Sequence, residues 1–311
     1  MINRALLRIK IIQIIYSYYK SEGNSIPAAV KELFFSIEKT YQLYFHLLWL
    51  SVEVTHYASL KIDAKRNKLR PTDEDLNPNM RFIDNLFVKQ LSENKHLQTS
   101  LKEFQVSWES QEDIIKKTYE TILEADFYQE YMNAATADYT ADKDIWRKIF
   151  KRIILTDEDL SNSIEDQSIY WTDDLEVIIS FIIKTIKRFE LANGANQELL
   201  PMFKDKEDEE FASKLLTNSL ANEPEYRKMI DAHTNNWEFD RIAFMDIVIM
   251  QAALAEITSF PTIPVNVTFN EYIEISKSFS TDKSATFING VLDNIVKDLK
   301  AENKLIKVMK L

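Results

Sequence analysis

The chain has 311 residues, 45% hydrophobic and 28% charged, with a formal net charge of −11 and no cysteine. It is long enough to bury one large core or two modest ones, and it excludes disulfides, thiolate catalysis and cysteine-based zinc sites. The acidic balance also excludes a generic polyanion binder, because phosphate contact needs local positive potential or charge lent by a partner.

Asn3–Lys20 reads as the first helix. It is apolar nearly all round and therefore buried, with Arg4, Arg8, Lys10 and Gln13 as its polar exceptions. Its most apolar run, Ile11–Tyr19, falls short of the ~20 residues that cross a bilayer, and no small-residue cleavage site follows it. Neither a membrane span nor a secretory leader is expected, and a reducing, cytoplasmic setting fits the absent cysteines. Ile26-Pro27 opens a second helix with proline in its first turn. Its apolar stripe is Val30, Leu33, Phe34, Ile37, Tyr41, Tyr44, Phe45 and Leu48. Lys65–Asn79 reads as a polar loop, basic and then acidic.

Helices follow over Met80–Leu91, Leu97–Val106, Gln111–Asp126, Tyr128–Thr136, Asp144–Leu155 and Asp174–Leu191. The tryptophans Trp49, Trp108, Trp146 and Trp171 fall on apolar stripes and read as core. The acidic run Lys204–Glu210 reads as a solvated helix start. Helical patterns continue over Phe211–Leu220, Pro224–His233 and Phe239–Ile257. "SFPTIPVN" is an extended connector, since residues before proline avoid the α region. Phe269–Phe279 and Ser284–Lys300 close the chain. Only three glycines occur, Gly23, Gly194 and Gly290, and no glycine-rich phosphate loop exists. The fold class is all-α.

Catalytic residue types are present, but no constellation is. His46, His56, His96 and His233 make no i, i+4 pair, so no metal site is read. The pairs Glu271/Glu274 and Asp173/Glu176, and the two "DEDL" stretches, read as surface acids. No cofactor and no enzymatic activity are expected.

Two separated blocks carry a resemblance. From Trp237 onward, "IPVNVTFNEYIEISKSF" and "FINGVL" match the patterns I-P-x-x-V-A-I-N-E-A-V-E-L-A-K-x-F and F-V-N-G-V-L at Pro264, Val267, Asn270, Glu271, Glu274, Lys277, Phe279, Phe287, Asn289, Gly290, Val291 and Leu292, and Glu256 stands at the acid of Y-E-L. Near the start, Arg8, Gln13 and Tyr16 keep the spacing of A-R-x-x-A-x-Q-x-L-Y. The chain resembles the NusB transcription antitermination family. The resemblance covers 1–22 and 207–300, leaving 23–206 as an additional helical segment or elaborated N-terminal half and 301–311 as a tail.

The resemblance implies a fold of two packed helical sub-bundles and a non-catalytic, RNA-binding regulator. In that family the protein pairs with the ribosomal protein NusE, binds boxA-type nascent ribosomal RNA and acts in the transcription elongation complex. Members occur as monomers and as homodimers. Carried over by position, Arg4 and Arg8 contact phosphate, Lys283 adds positive charge, and Phe287, Asn289 and Gly290 lie beside the RNA. Tyr16, Asp246 and Glu256 are assigned to the protein partner. The arginine run of the first helix is thinned to Arg4-Ala5-Leu6-Leu7-Arg8, and Gln251 replaces the arginine of L-R, so weak RNA affinity is expected of the chain alone.

From the residues themselves, other readings stay open. Arg8 also suits a core-edge ion pair, Tyr16 a pairing with Gln13, and Phe287 plain packing. Gly290, costing about 1 kcal/mol against alanine inside a helix, implies close approach of another helix or of a ligand. Beside the antitermination reading stand a structural α-helical scaffold and a module like the NusB-type domain of some RNA methyltransferases.

Overall fold

Where apolar residues recur at three-four spacing and glycine and proline are scarce, the backbone satisfies its own hydrogen bonds as helix. The computed structural model describes residues 2–21, 25–136, 138–234, 242–281 and 283–308. Among them the helices, in chain order, are α1 (Arg4–Lys20), α2 (Ile26–Arg66), α3 (Asp73–Leu76), α4 (Leu86–Ser92), α5 (Lys95–Glu103), α6 (Glu112–Glu124), α7 (Asp126–Asn133), α8 (Tyr139–Arg152), α9 (Glu158–Gln167), α10 (Leu175–Arg188), α11 (Lys206–Ala221), α12 (Glu223–Ala232), α13 (Phe244–Ser259), α14 (Val265–Phe279) and α15 (Ser284–Ala301). The described residues form no strand beyond an isolated bridge between Ile2 and Phe203. Gly23, Trp237 and Phe239 lie outside them. None of the described helices is long and apolar enough to cross a membrane.

The sequence reading lacks α9 and begins α4 at Met80 instead of Leu86, and two further details depart from it. The polar stretch 65–79 contains a turn of helix, α3, closed by a capping box in which Thr72 and Asp75 exchange hydrogen bonds. Helix α8 begins at Tyr139, ahead of the expected Asp144, because Asp138 accepts from the Ala141 amide and caps it there.

The chain divides into two compact units, Met1–Ile37 with Phe203–Leu311, and Glu38–Met202. The sequence boundaries at 22 and 207 both fall inside the first unit. In that unit α13 is the central element: twelve of its sixteen residues are buried, among them Ala252, Ala253 and Ala255, whose small side chains permit close approach. Helices α1, α11, α12, α14 and α15 pack around it. Beyond α15, Lys307 Nζ donates to the carbonyls of Phe260 and Ile263, and the Val308 amide to that of Pro261, tying the tail to the α13–α14 turn.

The second unit is built on the stretch of α2 from Glu38. Tyr44, Phe45, Leu47 and Leu48 are fully buried there. Trp108, Trp146 and Trp171 are buried as expected, whereas Trp49 is half-exposed and donates to Glu53. Several buried polar groups are tied to one another. Asp142 accepts from the Leu86 amide and the Tyr131 hydroxyl, and Tyr44 bonds Thr185. Gly194 sits at φ 48°, ψ −138°, a conformation open to glycine alone.

His46 lies in this core, stacked 4.1 Å from Trp108 and with Trp171 tilted against it at 5.5 Å between ring centroids. Its Nε2 is buried without a hydrogen-bond partner. Burial lowers its pKa to about 4, against a weaker upward pull from Gln111. The unfolded chain therefore binds a proton that the folded chain refuses between pH ~6.5 and 4. Stability should fall as pH drops through that window, by on the order of 3 kcal/mol from this group alone, and level off below it. Urea denaturation across this range should show the loss, and His46→Leu should remove this group's share of the slope.

Candidate nucleic-acid interface

The residues assigned to RNA and partner lie on α1, α13 and α15, all in the first unit. On α1, Asn3 caps the helix by accepting from the Leu6 amide, which fixes the register of both arginines. Arg4 and Arg8, four residues apart, then point along one face, over the ring of Phe211 at 4.9 and 5.4 Å. Arg4 is half-exposed. Its Nε donates to Asp208 at 2.8 Å, with Glu207 at 3.8 Å.

Arg8 is 3% exposed, and its guanidinium faces inward. Nε and Nη2 donate to the two oxygens of Glu256 at 2.8 and 2.9 Å, and Nη1 donates to Glu271 at 3.1 Å. Thr268 and Tyr272 add hydroxyl donors to Glu256 at 2.8 and 3.4 Å. Burial pushes the Arg8 pKa down, but the hydrogen bonds and charge of Glu256, with Tyr272 and Glu271, outweigh it and hold the guanidinium above its ordinary value. Burial, and then the charge of Glu256, push Tyr272 well up. Arg8 is the core-edge ion pair that the helix pattern left open. It does not reach phosphate in this arrangement, and Glu256, fully buried, is not a partner-facing acid.

Asp246 is corrected likewise. It is 5% exposed and accepts from Ser280 at 2.5 Å and Ser284 at 2.9 Å. The acid assigned to a partner fastens α13 to the start of α15. The internal roles of Asp208 and Gln251 are likewise absent from the sequence reading. Asp208 sits in the acidic run but is 7% exposed, because the capping Asp205 turns it inward beneath Arg4. Gln251 donates to Tyr19 and to the Ser219 carbonyl, both at 2.7 Å, so the residue replacing an arginine serves as an internal tie.

What stays open to solvent is on α15 and the end of α1. Lys283, Asn289 and Gly290 are exposed and Phe287 is half-buried. Lys283, Phe287 and Gly290 follow at i, i+4 and i+7, one stripe along the helix, with Asn289 at its flank. A Cβ built on Gly290 meets nothing within 4 Å. No helix of the described chain approaches it, which removes internal packing as its explanation. Tyr16 is 37% exposed and packs at 5.6 Å on Phe244, with Lys20 over both rings. Contacts join α1 to α14, and α14 to α15.

A model of the NusB family matches residues 177–297. Over 132 residues the chain is 34% identical to the transcription antitermination protein NusB of Salinibacter ruber, spanning 82% of that protein and 40% of this chain. The chain belongs to the NusB family. It is also 39% identical over 105 residues to the NusB of Bacillus licheniformis and 36% over 107 to that of Bacillus subtilis, covering 81% and 82% of those relatives and 34% of this chain in each case. No solved structure matches. The NusB family match starts at 177 and so takes in most of α10, which the sequence reading had placed in the additional segment.

The Arg8–Glu256 pair predicts a clear stability signature. Glu256→Ala strands a buried guanidinium and should cost about 3–5 kcal/mol in urea denaturation, with Arg8→Met plus Glu256→Met recovering part of it. Arg4→Ala breaks a half-exposed pair and should cost about 1 kcal/mol or less.

Proposed function

We propose that this chain is a transcription antitermination factor that binds boxA-type nascent RNA together with a NusE-type ribosomal protein. Membership of the NusB family supports the antitermination role, as the matched relatives carry that name. The observation that carries the RNA reading is Gly290, a solvent-facing glycine in the middle of an 18-residue helix with open space where its side chain would be. Its cost is not repaid inside the described chain, and a bare backbone beside Lys283 and Phe287 suits close approach of a sugar–phosphate chain.

Arg4, with part of its guanidinium in solvent, serves as the phosphate contact of α1. Arg8 acts indirectly, holding α1 on α13 and α14 so that Arg4 and Tyr16 are presented. With one of its two arginines turned inward, the chain alone binds RNA weakly, and the basic partner contributes the remaining affinity. Exposed Tyr16 and its Phe244 neighbour are the aromatic ground for that partner. The inward engagement of Arg8 is the one feature favouring a purely structural scaffold.

Fluorescence anisotropy with labelled boxA RNA, with and without NusE, separates these readings. A complex should form with NusE, and Lys283→Ala and Arg4→Ala should each flatten its salt slope by about 0.7. Gly290→Ala should stabilise the fold by up to about 1 kcal/mol while weakening the RNA complex. RNA binding unchanged in all three variants, or no complex with NusE, would leave only the scaffold.

A further inference from the structure

The second unit holds 29 of the chain's 49 acidic residues and 20 of its 38 basic ones. Against that acidic background eight of the twenty cations stand on two helices, α8 and α10. Between Lys143 and Arg152, the positions of α8 that are not buried are 143, 144, 147, 148, 151 and 152. Five of these six are basic: Lys143, Arg147, Lys148, Lys151 and Arg152. The opposite face is the buried set Ile145, Trp146, Ile149 and Phe150. On α10 the exposed residues of the last turns are Lys184, Lys187 and Arg188.

The two helices bring these cations together. Lys143 Nζ donates to the carbonyls of Lys187 and Phe189, so the start of α8 lies at the end of α10. The turn at 154–156, just past α8, also packs on α10. The helices therefore run antiparallel. Attraction of cations to a helix C-terminus accounts for Lys151, Arg152, Lys187 and Arg188 within their own helices, but those last turns sit at opposite ends of the pair. Lys143, Arg147, Lys148 and Lys184 fill the length between. The ridge is thus basic along its whole course, about 14 Å over α8 at 1.5 Å per residue.

Few acids interrupt it. Asp144 takes up Arg147 at 2.5 Å, Glu176 stands two turns before Lys184, and Glu190 follows α10. Among the described residues no carboxylate lies within ion-pair distance of Lys148, Lys151, Arg152, Lys184, Lys187 or Arg188. Aromatic rings underlie the cations. Tyr139, half-exposed, lies under Lys143 at 5.4 Å, and Phe127 under Lys148 and Arg152 at 5.9 and 5.7 Å. A stripe of guanidinium and ammonium groups, six of its eight without a carboxylate or carbonyl partner among the described residues, beside a tyrosine fits a single polynucleotide strand, whose phosphates take the charges and whose bases stack.

We infer that the α8–α10 ridge is a second RNA-binding surface, taking the phosphate backbone of single-stranded RNA without reading its sequence. The inference rests on the proposed role of this chain on nascent RNA, but the residues involved are separate from those on α1 and α15.

The test uses the full chain and a variant carrying Lys151→Gln, Arg152→Gln, Lys187→Gln and Arg188→Gln. All four positions are exposed, so the fold should be retained, as circular dichroism checks. Binding of labelled polyuridine is followed across a salt series, and short boxA RNA with NusE is measured alongside. The wild-type chain should bind polyuridine. The variant should lose about ten-fold or more at moderate salt, its slope flatter by about 2 to 3, with the boxA–NusE complex unchanged. Photo-crosslinking of thiouridine RNA should label α8. Equal polyuridine binding by both proteins, no binding by the wild type, or binding of phosphatidylserine vesicles in place of RNA would overturn the inference, even where the boxA–NusE complex forms normally. Polyuridine binding without that complex would support the ridge while removing the boxA reading.

Discussion

A single buried guanidinium organises the first unit. Arg8 leaves α1 and meets Glu256 of α13 with two parallel hydrogen bonds, then Glu271 of α14 with a third. Helix α1 is thereby pinned at one point to two consecutive helices from the far end of the chain. Burying these charges costs several kcal/mol per ion before they attract one another, so the cluster holds only while each part is present. Its main contribution is specificity of packing. Helices that are apolar nearly all round, as α1 and α13 are, could otherwise rotate against each other with little penalty, and a fixed polar contact selects one register.

That constraint explains which parts of the interface the sequence disclosed. The long helices were legible, because a 3.6-residue apolar period depends only on local order, whereas the short polar α3 and α9 were not. The open stripe on α15 was also visible in "FINGVL", since a glycine inside a helix needs a reason. The partners of Arg8, Asp246 and Glu256 were not legible. A charged residue on an apolar helix looks the same whether it faces solvent, RNA or a carboxylate 248 residues away, and only the packing decides. Asp208 was hidden for a related reason: a run of acids at a helix start reads as solvated, although its capping geometry turns one of them inward.

The charge distribution separates the two units in kind. The first unit spends Arg8, Glu256, Asp246 and Asp208 internally and leaves a sparse, mixed surface on α1 and α15. The second unit, the more acidic of the two, sets eight of its twenty cations on the outer faces of α8 and α10. An overall charge of −11 hides this arrangement entirely. Net charge governs solubility and long-range attraction, whereas contact with phosphate is decided within roughly one Debye length, about 8 Å at physiological salt.

The aromatic stack around His46 gives the molecule a built-in optical label. Of the five tryptophans, Trp49, Trp108, Trp146 and Trp171 belong to the second unit. Trp108 stacks on the imidazole and donates its indole N–H to the His46 carbonyl. Indole emission from this chain therefore weighs heavily toward the second unit and is sensitive to a protonation event at its centre. Loosening of that unit can be followed by light, against a first unit whose single tryptophan contributes a minor share.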